Sequence, residues 1–199
     1  KTYANWMNAP DSQFLLEFVR PDFLMIRTLA KGLIMWDSIL PNSAWIDSHV
    51  PSSIRPYCLR RPGDDISLPQ NGPRGITGSI DYETINQAYC NIIAGAALAM
   101  GLRFAGSNNS QAFEVLHRIT RRLLAISKRS VAELAGKATV EQTICVLVLS
   151  LAIVAAGSGD LEVVRIIRYL RSRVGPKNPT VTYGSHMALH LALGLLFLG

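Results

Sequence analysis

Ile92–Gly106 reads IIAGAALAMGLRFAG, Ile144–Gly157 reads ICVLVLSLAIVAAG, and Met187–Gly199 reads MALHLALGLLFLG. The three runs are 15, 14 and 13 residues long and apolar on every side. A helix that is apolar all round must be buried, in a protein core or in a membrane. A membrane span needs about 20 such residues. Arg103 and His190 interrupt two of the runs and would be costly in hydrocarbon. The runs therefore predict inner helices of a helical array that takes no membrane partner. A membrane protein with short spans is the alternative from another class.

The runs also repeat. Aligned on their closing glycines, Gly106 matches Gly157 at an offset of 51, and Gly157 matches Gly199 at an offset of 42. Gly101, Ala152 and Gly194 then coincide, as do Ala99, Ser150 and Ala192. Small residues at a fixed place let a neighbouring backbone approach closely, and the closing glycine suits a left-handed helix C-cap. Val146 and Val148 stand where the first copy has Gly95 and Ala97, which predicts looser packing of the second inner helix. A unit with one such helix cannot bury itself, whereas stacking on neighbours can bury it.

Between the apolar runs the pattern becomes amphipathic. After Ser107-Asn-Asn-Ser110, Phe113, Leu116, Ile119, Leu123 and Ile126 recur at helical steps, predicting an outer helix over 110–130. After Ser158-Gly-Asp160, with Asp160 as N-cap, Leu161, Val164, Ile167 and Leu170 predict a second outer helix, ended by Gly175 and Pro176. Residues 131–137 read as a connector, and Thr139 with Gln142 as a capping box opening the second inner helix. The organisation read from the chain is a helical segment over 1–50, a Pro/Gly-rich loop over 51–80, and repeats over 81–199, at about 86–130, 138–174 and 181–199. Within the first segment, helices are expected at 23–36 and 42–50. The loop holds five of the ten prolines. Lys1 in place of Met, and an apolar run ending on Gly199, suggest a piece of a longer protein.

Composition agrees with a buried helical array. Apolar residues make up 49% and charged residues 17%, against about 25% charged in ordinary domains. That excludes a disordered chain. Three cysteines without CxxC spacing exclude a disulfide scaffold and read as reduced, buried thiols. The net charge of +6 is uneven: residues 1–85 carry 8 basic and 9 acidic groups, and residues 86–199 carry 12 and 5. A solvated basic face is the plainer reading of that excess. If a partner meets the outer helices, Arg118, Arg121, Arg122, Arg165, Arg168 and Arg171 would face it.

No chemistry-bearing constellation emerges. His186 and His190 share a helix face, but Met187 stands where a zinc protease has its Glu, and no Cys is near. Two histidines set against a repeat interface is the better reading. Gly157-Ser-Gly159 lacks the third glycine of a dinucleotide fingerprint and the Lys of a P-loop. Asp64-Asp65 sits in the loop, without the fixed geometry of an acid–base pair. Trp6, Trp36 and Trp45 are not interleaved with the basic cluster, so no nucleic-acid platform is indicated. The chain reads as a non-catalytic scaffold with no cofactor, no metal and no catalytic residue.

The strings from Gly95 to Ser107, from Leu149 to Leu161 and from Met187 to Gly199 resemble proteasome/cyclosome repeats. With Lys31–Ser38, Trp45–Ser48, Ile85–Gly95 and Tyr183–His186, they stand closest to the cyclosome branch of that family, the anaphase-promoting complex. The resemblance implies helical hairpins stacked as a toroid or solenoid, of which this is an incomplete piece, with Gly95, Gly101, Gly106, Ala152, Gly157, Gly194 and Gly199 as structural repeat positions. It implies a scaffold in a multisubunit ubiquitin ligase that drives exit from mitosis. Catalysis would belong to cullin-like and RING-type subunits and a ubiquitin-conjugating enzyme. Partners would be other subunits and the substrate-receptor coactivators, and the location nucleus and cytoplasm. The same-fold alternative is a non-ATPase subunit of the proteasome base.

Overall fold

The computed structural model describes residues 20–59, 81–127, 135–173 and 180–198, and among them every regular element is helical. In chain order these are α1 (Pro21–Ile34), α2 (Ser43–Ser48), α3 (Tyr82–Arg103), α4 (Ser110–Ser127), α5 (Lys137–Val154), α6 (Leu161–Arg171) and α7 (Tyr183–Leu196). Single 3-10 turns lie at Trp36–Ser38 and Arg55–Tyr57.

The odd-numbered helices form one row: α1 packs on α3, α3 on α5, and α5 on α7. The even-numbered helices form a second row, with α2 on α3, α4 on α5, and α6 on α5 and α7. Sequence explains the division. Both faces of α3 and α5 are buried, with Ala96, Ala97, Met100, Leu147, Val148 and Leu151 fully enclosed. The outer helices bury one stripe each, Ala112, Val115, Leu116 and Leu123 in α4 and Val163, Ile167 and Leu170 in α6. Helical hairpins stacked side by side are thus present.

Helix starts follow the capping chemistry of short polar side chains. Asn42 accepts from the Trp45 N–H at 2.8 Å, Asp81 from Thr84 at 3.0 Å, and Asn109 from Ala112 at 2.9 Å. Asp160 accepts from the N–H groups of both Glu162 and Val163 at 3.0 Å, as expected from the sequence.

Several expectations need correction. The apolar helices are longer than the apolar runs: α3 has 22 residues and α5 has 18, so both are long and apolar enough to cross a membrane. The length argument fails, because flanking polar residues continue each helix. The burial argument stands: 72% and 61% of the most apolar stretch in each is buried inside the protein. The Thr139–Gln142 capping box does not form. α5 starts earlier, behind Gly136 at φ +74°, and Gly136 caps it with no side chain. Leu161 is exposed at the mouth of α6, and Val163 takes the buried place. Residues 51–59 are no free loop: Ile54 and Tyr57 are buried in the core, and Leu59 donates its N–H to the buried Asn86 side chain at 2.6 Å. The rest of that segment (60–80), residues 131–134 of the expected 131–137 connector, Asp64, Asp65 and Gly199 lie outside the described residues, and Lys137, expected in the connector, is the first residue of α5.

Candidate functional site

Three close approaches hold the inner row together. A Cβ added to Gly32 would lie 2.5 Å from the Ala99 Cβ, one on Gly95 would lie 2.3 Å from the Met25 carbonyl oxygen, and one on Gly101 would lie 3.0 Å from the Ser150 Cα. Two of these are the same contact repeated. Gly32 of α1 meets Ala99 of α3, and Gly101 of α3 meets Ser150 of α5, and Ala99 and Ser150 are repeat equivalents. Ser150 fits there because its hydroxyl turns back to the Val146 carbonyl at 2.8 Å, which satisfies a fully buried polar group. Gly194 of α7 occupies the same register as Gly101, yet nothing lies within 4 Å of a Cβ added to it.

The closing glycines are left-handed, as expected, with Gly106 at φ +63° and Gly157 at φ +76°. They do not cap their own helix. The Gly106 N–H donates to the Ile153 carbonyl at 2.9 Å and the Asn108 N–H to Val154 at 3.0 Å, both at the end of α5. One repeat later the Gly157 N–H donates to Leu195 at 3.0 Å and the Gly159 N–H to Leu196 at 2.9 Å, at the end of α7. Each turn thus satisfies carbonyls that the following inner helix leaves open at its last turn. Asn108 and Gly159 are left-handed too, at φ +49° and +61°. A serine braces each turn: Ser107 donates to Phe104 at 2.7 Å and Ser158 to Ala155 at 2.6 Å. Gly157 has a second constraint, since a Cβ there would lie 2.7 Å from the Leu198 carbonyl.

The sequence reading missed that α1 belongs to the inner row. A signal was present: Gly32 precedes Ser38 by the spacing that separates Gly101 from Ser107 and Ala152 from Ser158. Ser38 makes the same turn bond, to Met35 at 2.7 Å. Here Arg103 completes the junction, with its guanidinium 5.5 Å from the Trp36 ring centre and 3.9 Å from Asp37.

The buried polar groups serve packing. Glu141 at the start of α5 pairs with Arg173 beyond the end of α6, both largely buried. Burial pushes the Cys58 and Cys90 thiols up to about 12 and raises Cys145 as well, so none is a poised nucleophile. Among the described residues no group of three or more His, Cys, Asp or Glu could hold a metal. The His186 and His190 rings are 6.4 Å apart, one turn from each other on α7. They occupy the register that Ile93 and Ala97 fill in α3 and Ile144 and Val148 fill in α5, positions buried in those helices.

The arginines expected to face a partner are all exposed on the outer row: Arg118, Arg121 and Arg122 on α4, and Arg165, Arg168 and Arg171 on α6. Arg165 pairs with Glu162 along α6. Arg118 and Arg122 border a cleft of about 260 Å³ between α2 and α4, together with Tyr89 and Asp47. Arg121 and Arg165 border a second cleft, of about 380 Å³, between α4 and α6.

The sequence that builds this row matches known proteins. Residues 1–199 match the family described as APC1 fifth domain. The chain is 44% identical to human anaphase-promoting complex subunit 1 over all of its own length and 10% of that protein's. It is 36% identical to anaphase-promoting complex subunit 1 of Arabidopsis thaliana over 97% of the chain and 12% of the relative. It is 37% identical to the negative regulator of mitosis of Emericella nidulans over the whole chain and 9% of the relative. The chain therefore spans about a tenth of the curated relatives it matches. Matched from its first residue to its last, the chain belongs to the APC1 fifth-domain family.

Proposed function

We propose that the chain forms part of a non-catalytic scaffold subunit of the anaphase-promoting complex, organising other subunits, and with them the substrate-receptor coactivators, for ubiquitination in the nucleus and cytoplasm. Similarity along the length of this chain to part of proteins named as subunit 1 of that complex carries the reading. The architecture supports it: the close glycine approaches and the turn-to-helix hydrogen bonds are spent on stacking helices. Exposed apolar residues on the two end helices support a further element of the proposal, that additional inner helices of the parent protein continue the row into a toroid or solenoid. On α1 these are Phe23, Ile26, Leu33 and Ile34, and on α7 they are Tyr183, Met187 and Leu191.

Affinity capture of the full-length parent from mitotic extract tests the proposal. Cullin-like and RING-type subunits should be recovered with it. Recovery of a proteasomal ATPase ring in their place would overturn it.

A further inference from the structure

We propose that the cleft between α2 and α4 receives a partner-protein segment of mixed charge, with a carboxylate side chain seated on Arg118 and Arg122 and a basic side chain facing Asp47. The two arginines are four residues apart on α4 and so share one face of it. Neither makes an ion pair with any described residue. The next repeat shows what an arginine takes at this place. The outer helices stay in register at the offset of 51: the N-caps Asn109 and Asp160 coincide, as do the buried Leu116 and Ile167. Arg122 then corresponds to Arg173, whose guanidinium is paired with the buried carboxylate of Glu141. The inner-helix position that supplies Glu141 is filled in the first repeat by Cys90, fully buried and held as a neutral thiol. The first repeat thus keeps the arginine without its carboxylate, and adds Arg118 where the second has Tyr169.

The cleft's walls specify the rest of the occupant. Its volume, about 260 Å³, is below the roughly 300–1,000 Å³ of small-molecule sites and suits one or two side chains of a polypeptide. Buried Ile93 and Leu123 and half-buried Ile119 line it, and an apolar lining strengthens a charge pair by lowering the local dielectric. Half-buried Tyr89 lines it too, and its hydroxyl makes no hydrogen bond to a described residue. Burial pushes the Tyr89 pKa up to about 12, so the group remains an O–H donor to an incoming carboxylate. Asp47 stands on the α2 wall and pairs with neither arginine. It disfavours a run of carboxylates or phosphates and selects a segment whose acid is accompanied by Lys or Arg. The cleft has this complementarity by itself, whatever assembly the parent protein joins.

The test uses the full-length parent protein and fluorescence anisotropy of a fluorescein-labelled peptide repeating Glu-Ala-Lys-Ala, a spacing that keeps Glu and Lys from pairing with each other on a helix. Saturable binding is expected, weakened by added salt. The double variant Arg118→Glu with Arg122→Glu should lose at least about tenfold in affinity. Arg168→Glu with Arg171→Glu removes the same charge from outside the cleft and should change affinity by less than about twofold. The native protein should prefer this probe to one repeating Glu-Ala-Glu-Ala, and Asp47→Lys should reverse that order. If circular dichroism shows that charge reversal impairs folding, Arg118→Gln with Arg122→Gln is measured in its place and should still weaken binding. No saturable binding, equal loss in the two double variants, or an unchanged order of probes with Asp47→Lys would each overturn the proposal.

Discussion

Single atoms decide how closely the inner helices approach. Gly95→Ala places a methyl group 2.3 Å from a backbone carbonyl, which cannot rotate away, so α1 and α3 must separate. The expected loss is about 1–3 kcal/mol, the usual cost of overpacking, read as a lower denaturation midpoint. The thiols give a second residue-scale outcome. With Cys58 and Cys90 held up at about 12 and Cys145 raised, all by burial, the native protein should resist maleimide at neutral pH. Denaturant should expose all three cysteines of the sequence to labelling, as counted by mass spectrometry. The sequence made Gly95 and Gly101 conspicuous because they sit in apolar helices where glycine is costly. It did not reveal what each one touches, since that depends on how neighbouring helices are set against each other.

Elements were legible where periodicity was strong. The apolar runs and amphipathic stretches located α3 to α7, and Asp160 announced the start of α6. Asp160→Ala should cost about 1 kcal/mol, because two N–H groups lose their acceptor, and hydrogen exchange in the first turn of α6 would record it. The ends were less legible. Gly136 starts α5 through backbone conformation alone, a signal weaker in sequence than the Thr139 and Gln142 pair that resembles a capping box. α1 was legible as a helix over 23–36, but its place in the inner row was not, because Asp22, Arg27 and Lys31 interrupt its apolar residues. Beside α1, His49 at the end of α2 is half-buried, and its Nδ1–H donates to the Trp45 carbonyl at 2.8 Å. Burial lowers its pKa, with nearby Lys31 acting the same way. In the unfolded chain the ring takes up its proton near pH 6.5. Below that value the unfolded state binds protons the folded state refuses, so stability is full above about pH 6.5 and falls as pH drops. His49→Gln should flatten that fall in denaturation curves taken between neutral and mildly acidic pH.

On the scale of the whole molecule, the row of inner helices runs from α1 to α7 among the described residues. At α7 the register held by Gly101 in α3 passes to Gly194, where an added Cβ meets nothing. On the chain alone, Gly194→Ala should stabilise α7 by roughly 0.5–1 kcal/mol, the ordinary gain from removing a helix glycine. In the full-length parent, a further inner helix seated there would reverse the sign. Comparing melting of the two proteins with and without the substitution therefore reads the presence of the next helix directly, and stabilisation in both would sink the proposed continuation.

The bonds from each turn to the end of the next inner helix give the array a direction. The carbonyls that finish α5 are met by donors at Gly106 and Asn108, and those that finish α7 by donors at Gly157 and Gly159, always from chain that comes earlier. A ribosome releases polypeptide in that same order. When the last turn of α5 or α7 leaves the exit tunnel, the groups that complete it have already been made. Assembly of these two junctions can then run behind synthesis, with the ends of α5 and α7 waiting for no residues still to be translated.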